Sequence, residues 1–170
     1  MVCADVQGVR PDAVAWPISR HHGRDASGPE LATSLSMVPP AATVLVVDDD
    51  SSFRCALRVA LVEEGYEVME ASDGEVALEL LAHAADGTGT TPDALVLDVL
   101  MPGCSGLGIL ELLRRFGRPP PTVLVTGFRD RSIDVLARRL GAVQVVHKPV
   151  ELDEVLAAVL GAIKGGAPRR

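Results

Sequence analysis

From Thr43 onward the hydrophobic positions alternate between two rhythms: short unbroken apolar runs, and longer stretches with apolar residues three or four apart. The run Thr43–Val47 is rich in β-branched residues, the composition of a strand covered on both faces. Ser51 and Ser52 are placed to cap a helix whose apolar face is Phe53, Ala56, Leu57, Ala60 and Leu61, with Gly65 ending it. A second strand is predicted at 66–71, and Ser72 or Asp73 caps a helix striped by Val76, Ala77, Leu80, Leu81 and Ala84. After the polar, glycine-rich loop 86–92 comes a third strand at 93–98. Pro102 and Gly103 then open a loop before a helix carrying Leu107, Leu110 and Leu113, which Pro119, Pro120 and Pro121 stop.

A fourth strand ends at Thr126, and a helix from about residue 130 presents Ile133, Leu136, Ala137 and Leu140 before Gly141 closes it. The fifth strand is Ala142–His147, and Leu152, Val155, Leu156, Val159, Leu160 and Ile163 trace a last amphipathic helix. Five β-α units in regular order predict an α/β fold: a doubly wound five-stranded parallel sheet, with right-handed crossovers placing helices on both faces.

Parallel strands point the same way, so their carboxyl ends open on one crevice, the usual ligand position in such sheets. Asp48, Asp49 and Asp50 follow the first strand, Asp98 ends the third, Thr126 the fourth, and Lys148 follows the fifth. An acidic pair, a lone aspartate, a hydroxyl and an ammonium together make a phosphorylation site. Neighbouring strands lie about 4.8 Å apart, so the carboxylates of the first and third strands crowd each other. Two such charges at about 4 Å repel by roughly 4 kcal/mol at an effective dielectric of 20, and a hard divalent cation relieves this. Mg²⁺ suits the donor set, with Asp49 and Asp98 as direct ligands and Asp48 acting through a bound water.

The 170 residues fit one domain, and 48% hydrophobic content supplies an ordinary core. Residues 1–42 mix Pro11, Pro17, Pro29, Pro39 and Pro40 with glycine, serine and charge and show no sustained period, the pattern of a disordered tail. Met37, six residues before the first strand, is a second candidate for the translational start. Residues 164–170 read as a flexible tail with no room for an output domain. The net charge of -7, with Arg114-Arg115, Arg138-Arg139 and Arg169-Arg170 as isolated doublets, argues against direct nucleic-acid binding. No run approaches the ~20 apolar residues of a membrane span, and the first forty residues contain no signal-peptide core, so a cytoplasmic location is expected. Cys3, Cys55 and Cys104 form neither a disulfide framework nor a zinc pattern, and Cys104 reads as an ordinary thiol. His147 should point away from Lys148 by strand alternation and play a structural part.

The segments Val44-Leu-Val-Val-Asp-Asp-Asp50, Leu97-Asp-Val-Leu-Met-Pro-Gly103 with Gly106, Thr126-Gly127 and Lys148-Pro149 together resemble the receiver domain of two-component response regulators. The resemblance covers residues 43–163 and implies a flavodoxin-like strand order of 2-1-3-4-5. It further implies phosphorylation of Asp98 by a histidine kinase or histidine phosphotransfer protein. Mg²⁺ would be held by Asp48, Asp49, Asp98 and the backbone carbonyl of Leu100. Lys148 would supply the ammonium and Thr126 the hydroxyl, and Phe128 stands where the family controls phosphoryl lifetime. Lys148-Pro149 is a candidate cis peptide. Two positions depart from the family: Val145 replaces the usual Tyr or Phe, and Ser105 replaces a residue often charged.

The expected function is that of a single-domain response regulator, a phosphoprotein of signal transduction whose only chemistry is gaining and losing a phosphoryl group on Asp98. It would switch a surface read by a downstream protein. Two alternatives stand beside it. Asp48-x-Asp50-x-Ser52 loosely resembles the nucleophile motif of haloacid-dehalogenase-type phosphohydrolases, with Asp48 attacking. That reading leaves Asp98 idle and needs an acidic pair at a later strand end, where Glu151, Asp153 and Glu154 instead begin a helix. Val145 also admits a receiver-like interaction module that works without phosphorylation.

Overall fold

In the computed structural model, which describes residues 42–117 and 119–165, strands and helices alternate without exception. They are β1 (Thr43–Val47), α1 (Ser51–Glu63), β2 (Glu67–Ala71), α2 (Gly74–Asp86), β3 (Ala94–Asp98), α3 (Gly106–Phe116), β4 (Thr122–Thr126), α4 (Arg131–Leu140), β5 (Ala142–His147) and α5 (Leu152–Gly165). The strands form one sheet in the order β2-β1-β3-β4-β5, and every pairing is parallel. The flavodoxin-like order implied by the motifs is the observed one.

The apolar runs explain which strands lie inside. β1, β3 and β4 are buried at every position, while the edge strands β2 and β5 expose Glu67, Glu70, Val143 and Gln144. Side chains alternate between two cores. Leu45, Val47, Leu95, Leu97 and Leu124 meet α2, α3 and α4 through Ala77, Leu81, Ile109, Leu110 and Ala137. Val44, Val46, Val96, Val123 and Val125 meet α1 and α5 through Leu57, Leu61, Val155 and Val159. Burial on both faces anchors the central strands, and their ends carry the polar residues of the crevice.

Local chemistry places each helix start. Asp50, and not Ser51 or Ser52, caps α1: its carboxylate accepts from the Ser52 and Phe53 amides at 2.8 and 3.2 Å. A carboxylate one residue earlier reaches the free amides of the first turn, a contribution of about 1 kcal/mol. Asp73 caps α2, Ser105 caps α3 and Asp130 caps α4 by the same means. Gly141 ends α4 at φ 107°, a left-handed conformation that only glycine adopts freely.

Several expectations shift. Ala56, Leu136 and Leu160, read as buried-face residues, are exposed, Leu136 by 45%. An apolar stripe is wider than the strip of helix that one sheet face can cover. Strands β2 and β3 begin one residue later than expected. Asp93 is instead used as a side-chain acceptor for the Thr43 amide at 2.7 Å. Helix α5 continues to Gly165, where a tail from residue 164 was expected, because Ala162 and Ile163 still dock on the core. Cys104 is disulfide-bonded and not an ordinary thiol, a pairing that spacing along the chain does not reveal, whereas Cys55 is free. The proposed tail at 1–41, the start at Met37 and residues 166–170 lie outside the described residues. Among the described residues, no helix is long and apolar enough to cross a membrane.

Gly106 opens α3 directly against the end of β3. A Cβ there would press into the Asp98 carbonyl oxygen and lie 3.0 Å from the carbonyl carbon, so backbone must move to admit it. Gly106→Ala is therefore expected to cost about 1–3 kcal/mol, read as a lower urea midpoint.

Candidate functional site

The register of the sheet carries the crevice residues to neighbouring positions. Val47 pairs with Leu97, so one further step sets Asp48 beside Asp98; Thr126 pairs with His147, so Lys148 follows on the next step. Backbone bonds extend the ladder past the strand ends: the Asp48 amide donates to Ala71 at 3.3 Å, Val99 to Val125 at 2.9 Å and Lys148 to Thr126 at 2.8 Å. The Lys148-Pro149 peptide is cis, as expected.

At the centre, the Lys148 ammonium donates to Asp48 Oδ2 and to Asp98 Oδ2, each at 2.8 Å. Both carboxylates are almost wholly buried, Asp48 1% and Asp98 4% exposed. Their other oxygens are also held: Asp48 Oδ1 accepts from the Asp50 amide at 2.9 Å, and Asp98 Oδ1 from the Leu100 amide at 3.0 Å. Asp49 stands exposed at the mouth, and one carboxylate oxygen from each of Asp48, Asp49 and Asp98 lies within 4.8 Å of the others. Thr126 is fully buried, with its Oγ1 accepting from the Phe128 amide at 3.0 Å. Among the described residues, no hydrogen bond joins the Thr126 side chain to Asp98 or Lys148. Gly127 leaves room beside it; a Cβ there would meet only Leu100 Cδ1, at 4.0 Å.

Two neighbours were not read from sequence as part of the site. The Phe53 ring centroid lies 5.0 Å from Lys148 Nζ, a cation-π distance. Arg54 donates to the Asp48 carbonyl at 2.7 Å and faces Glu70 at 3.8 Å, so its charge is turned away from the carboxylates. Their place in the first turn of α1, directly after the aspartates, was the available signal. Ser105 is used as the cap of α3, and Val145 packs against the core on the α4 side. Asp50 caps α1, which removes it from the hydrolase-like motif.

The charges do not balance, since three carboxylates face one ammonium. Burial pushes the Asp48 carboxyl up; the bonds from Lys148 and the Asp50 amide oppose this, and the charge of Asp98 adds to it. For Lys148, burial pulls the ammonium down, but the bonds to Asp48 and Asp98 and their charges outweigh it, leaving it above the usual lysine value. The linkage follows from these directions. Lys148 contributes its full stabilisation below the ordinary lysine range and loses it as pH rises through the raised value. Asp48 holds its proton more tightly folded than unfolded, so its contribution worsens as pH rises through the carboxylate range. An all-oxygen, hard donor set with surplus negative charge fits a small divalent cation.

The family profile described as the response regulator receiver domain matches residues 44–160. The chain belongs to that family. It is similar to the response regulator MprA of Mycobacterium sp. strain KMS, at 38% identity over 125 residues, covering 74% of this chain and 52% of the relative. The chain thus spans about half the length of the curated relatives it matches. Among solved structures, it is similar to the receiver domain of the Francisella response regulator 1452, with TM-score 0.65, 25% identity, and 73% and 98% of the two chains covered. A response regulator receiver domain protein from Clostridium thermocellum gives TM-score 0.65 and 27% identity over 73% and 95%. As a receiver domain, the chain has a phosphorylation-accepting role in two-component signalling.

The receiver's buried charge gives a direct prediction. Asp48→Asn removes one carboxylate charge, keeps an oxygen for the Asp50 amide and leaves Lys148 paired with Asp98. In EDTA at pH 8, urea unfolding is expected to show a gain of about 1 kcal/mol or more. The gap should close as pH falls and wild-type Asp48 takes up its proton.

Proposed function

We propose that this receiver is a Mg²⁺-dependent switch in which Asp98 accepts the phosphoryl group. The carrying observation is the Lys148 ammonium shared at 2.8 Å by two buried carboxylates, with Asp49 beside them. A carboxylate oxygen of Asp98 attacks phosphorus; the bond from phosphorus to the donor breaks, and the leaving group keeps the electron pair. The product is a mixed anhydride on Asp98. Nucleophilicity of a carboxylate is modest, so in-line positioning and charge stabilisation carry the rate.

Lys148 has three N–H donors, two of them on Asp48 and Asp98, which leaves one for a phosphoryl oxygen. Thr126 Oγ1 already accepts from the Phe128 amide, so its own proton is free to be donated. Asp48, Asp49, Asp98 and the Leu100 carbonyl would hold Mg²⁺, which when bound offsets charge on the carboxylates and the phosphoryl oxygens. The donor is a histidine kinase or a histidine phosphotransfer protein. The likeness to response regulators supports this partner class.

We further propose that this receiver acts in the cytoplasm. It would signal by protein contact and catalyse nothing beyond its own phosphorylation and dephosphorylation. The net charge of -7 supports a protein partner over nucleic acid.

Incubation with Mg²⁺ and acetyl phosphate, followed by mapping of the hydroxylamine-sensitive label by mass, is expected to place it on Asp98. EDTA and Asp98→Asn should abolish the label, and Lys148→Ala should slow its formation by about 100-fold or more. Label on Asp48 would instead mark a hydrolase, and an unlabelled chain would mark a constitutive interaction module. Phe128, two residues after Thr126 and 42% exposed, is proposed to screen the anhydride from water. Phe128→Ala should shorten the label's half-life; an unchanged half-life would remove that role.

A further inference from the structure

We propose that His147 is the link that carries the state of Thr126 to α4. The inference rests on the phosphoryl-acceptor reading above and adds the means by which the site reaches a surface. Strand alternation turns His147 away from Lys148, toward the same side of the sheet as Val145 and α4. There the ring bridges two elements. Nδ1 lies 2.9 Å from the Phe128 carbonyl oxygen, and Nε2 lies 3.3 Å from Asp134 Oδ1 on α4.

The chemistry of each contact fixes its direction. A carbonyl oxygen only accepts, so Nδ1 carries the proton and donates it to Phe128. The amide of the same residue donates to Thr126 Oγ1 at 3.0 Å. The imidazole therefore grips one side of Phe128 while the Thr126 hydroxyl is gripped by the other. With its oxygen occupied by that amide, the hydroxyl has its proton left for an oxygen in the crevice. On α4, Asp134 Oδ1 is buried and makes no hydrogen bond among the described residues; Nε2 is the polar group set against it, and the contact is an attractive ion pair in the imidazolium form, with a proton on both ring nitrogens. Arg129 and Arg131 line the same hollow.

Helix α4 is a suitable receiver of such a signal. Ala137 is its one fully buried residue, Leu140 packs only partly buried against the core, and Val135 and Leu136 stand half exposed. Val145 has no polar tip with which to reach the loop. When a phosphoryl oxygen draws the Thr126 hydroxyl, the Phe128 peptide shifts with it, and the His147 contact passes that shift to Asp134 and α4.

The test uses the full chain with Mg²⁺, comparing wild type, His147→Ala, His147→Gln and Asp134→Asn. Acetyl phosphate labelling measures the chemistry, and beryllofluoride with two-dimensional amide NMR measures the response of Phe128 and residues 131–140. Expected for His147→Ala is labelling of Asp98 within about threefold of wild type, but beryllofluoride-induced shifts in α4 reduced to less than half. Gln, which still has an N–H for the Phe128 carbonyl, should restore the Phe128 response but not that of α4. Asp134→Asn should likewise blunt α4 alone. Undiminished α4 shifts in His147→Ala, or no α4 shift in a wild type that labels normally, would overturn the inference and leave the acceptor reading intact. A wild type that takes no label on Asp98 would overturn both.

Discussion

The structure is organised around one unfavourable charge arrangement held in place: two buried carboxylates, Asp48 and Asp98, hydrogen-bonded to the single ammonium of Lys148. Burying Asp48 is costly, and its carboxyl is pushed up first by that burial and further by the charge of Asp98. Such a site persists because the sheet leaves it no alternative. The buried strands β1 and β3 deliver the two aspartates and the edge strand β5 the lysine, and backbone bonds one step beyond each of these three strands fix where they stand. The surplus negative charge that weakens the fold is the property that favours a divalent cation and, with it, a phosphoryl group.

Around this centre, the helices act as fasteners of unequal strength. α1 begins with the Asp50 cap directly after the acidic pair and lays Phe53 near the ammonium. α3 begins at Gly106, whose missing side chain lets it close on the Asp98 backbone. These starts stand directly against the acceptor. By contrast, α4 has one fully buried residue, Ala137, with Leu140 only partly buried against the core and a few polar contacts beside them. A stiff acceptor beside a loosely held helix is the mechanical asymmetry a switch needs, because a small change at the site moves the weaker element first.

Much of this was legible along the chain. A period of two against a period near 3.6 separated strands from helices, and polar residues directly after apolar runs marked the crevice. Asp48, Asp49, Asp98, Thr126 and Lys148 were found because strand ends in a parallel sheet must converge. The helix boundaries were less legible. Asp50 displaced Ser51 and Ser52 as cap, and Leu136 and Leu160 face outward, since an apolar stripe does not reveal how much of it the sheet will cover.

Sequence alone thus determined the fold class, the order of elements and the identity of the crevice residues, because periodicity and residue type are local properties that the backbone must obey. Only the tertiary structure decided which oxygen meets the ammonium, that Thr126 is held by the Phe128 amide and not by Asp98, and that His147 joins the loop after β4 to Asp134. Those contacts depend on register and side-chain direction between segments far apart in the chain. Register across a sheet is set by the packing of all its strands together, and no single stretch of sequence contains it.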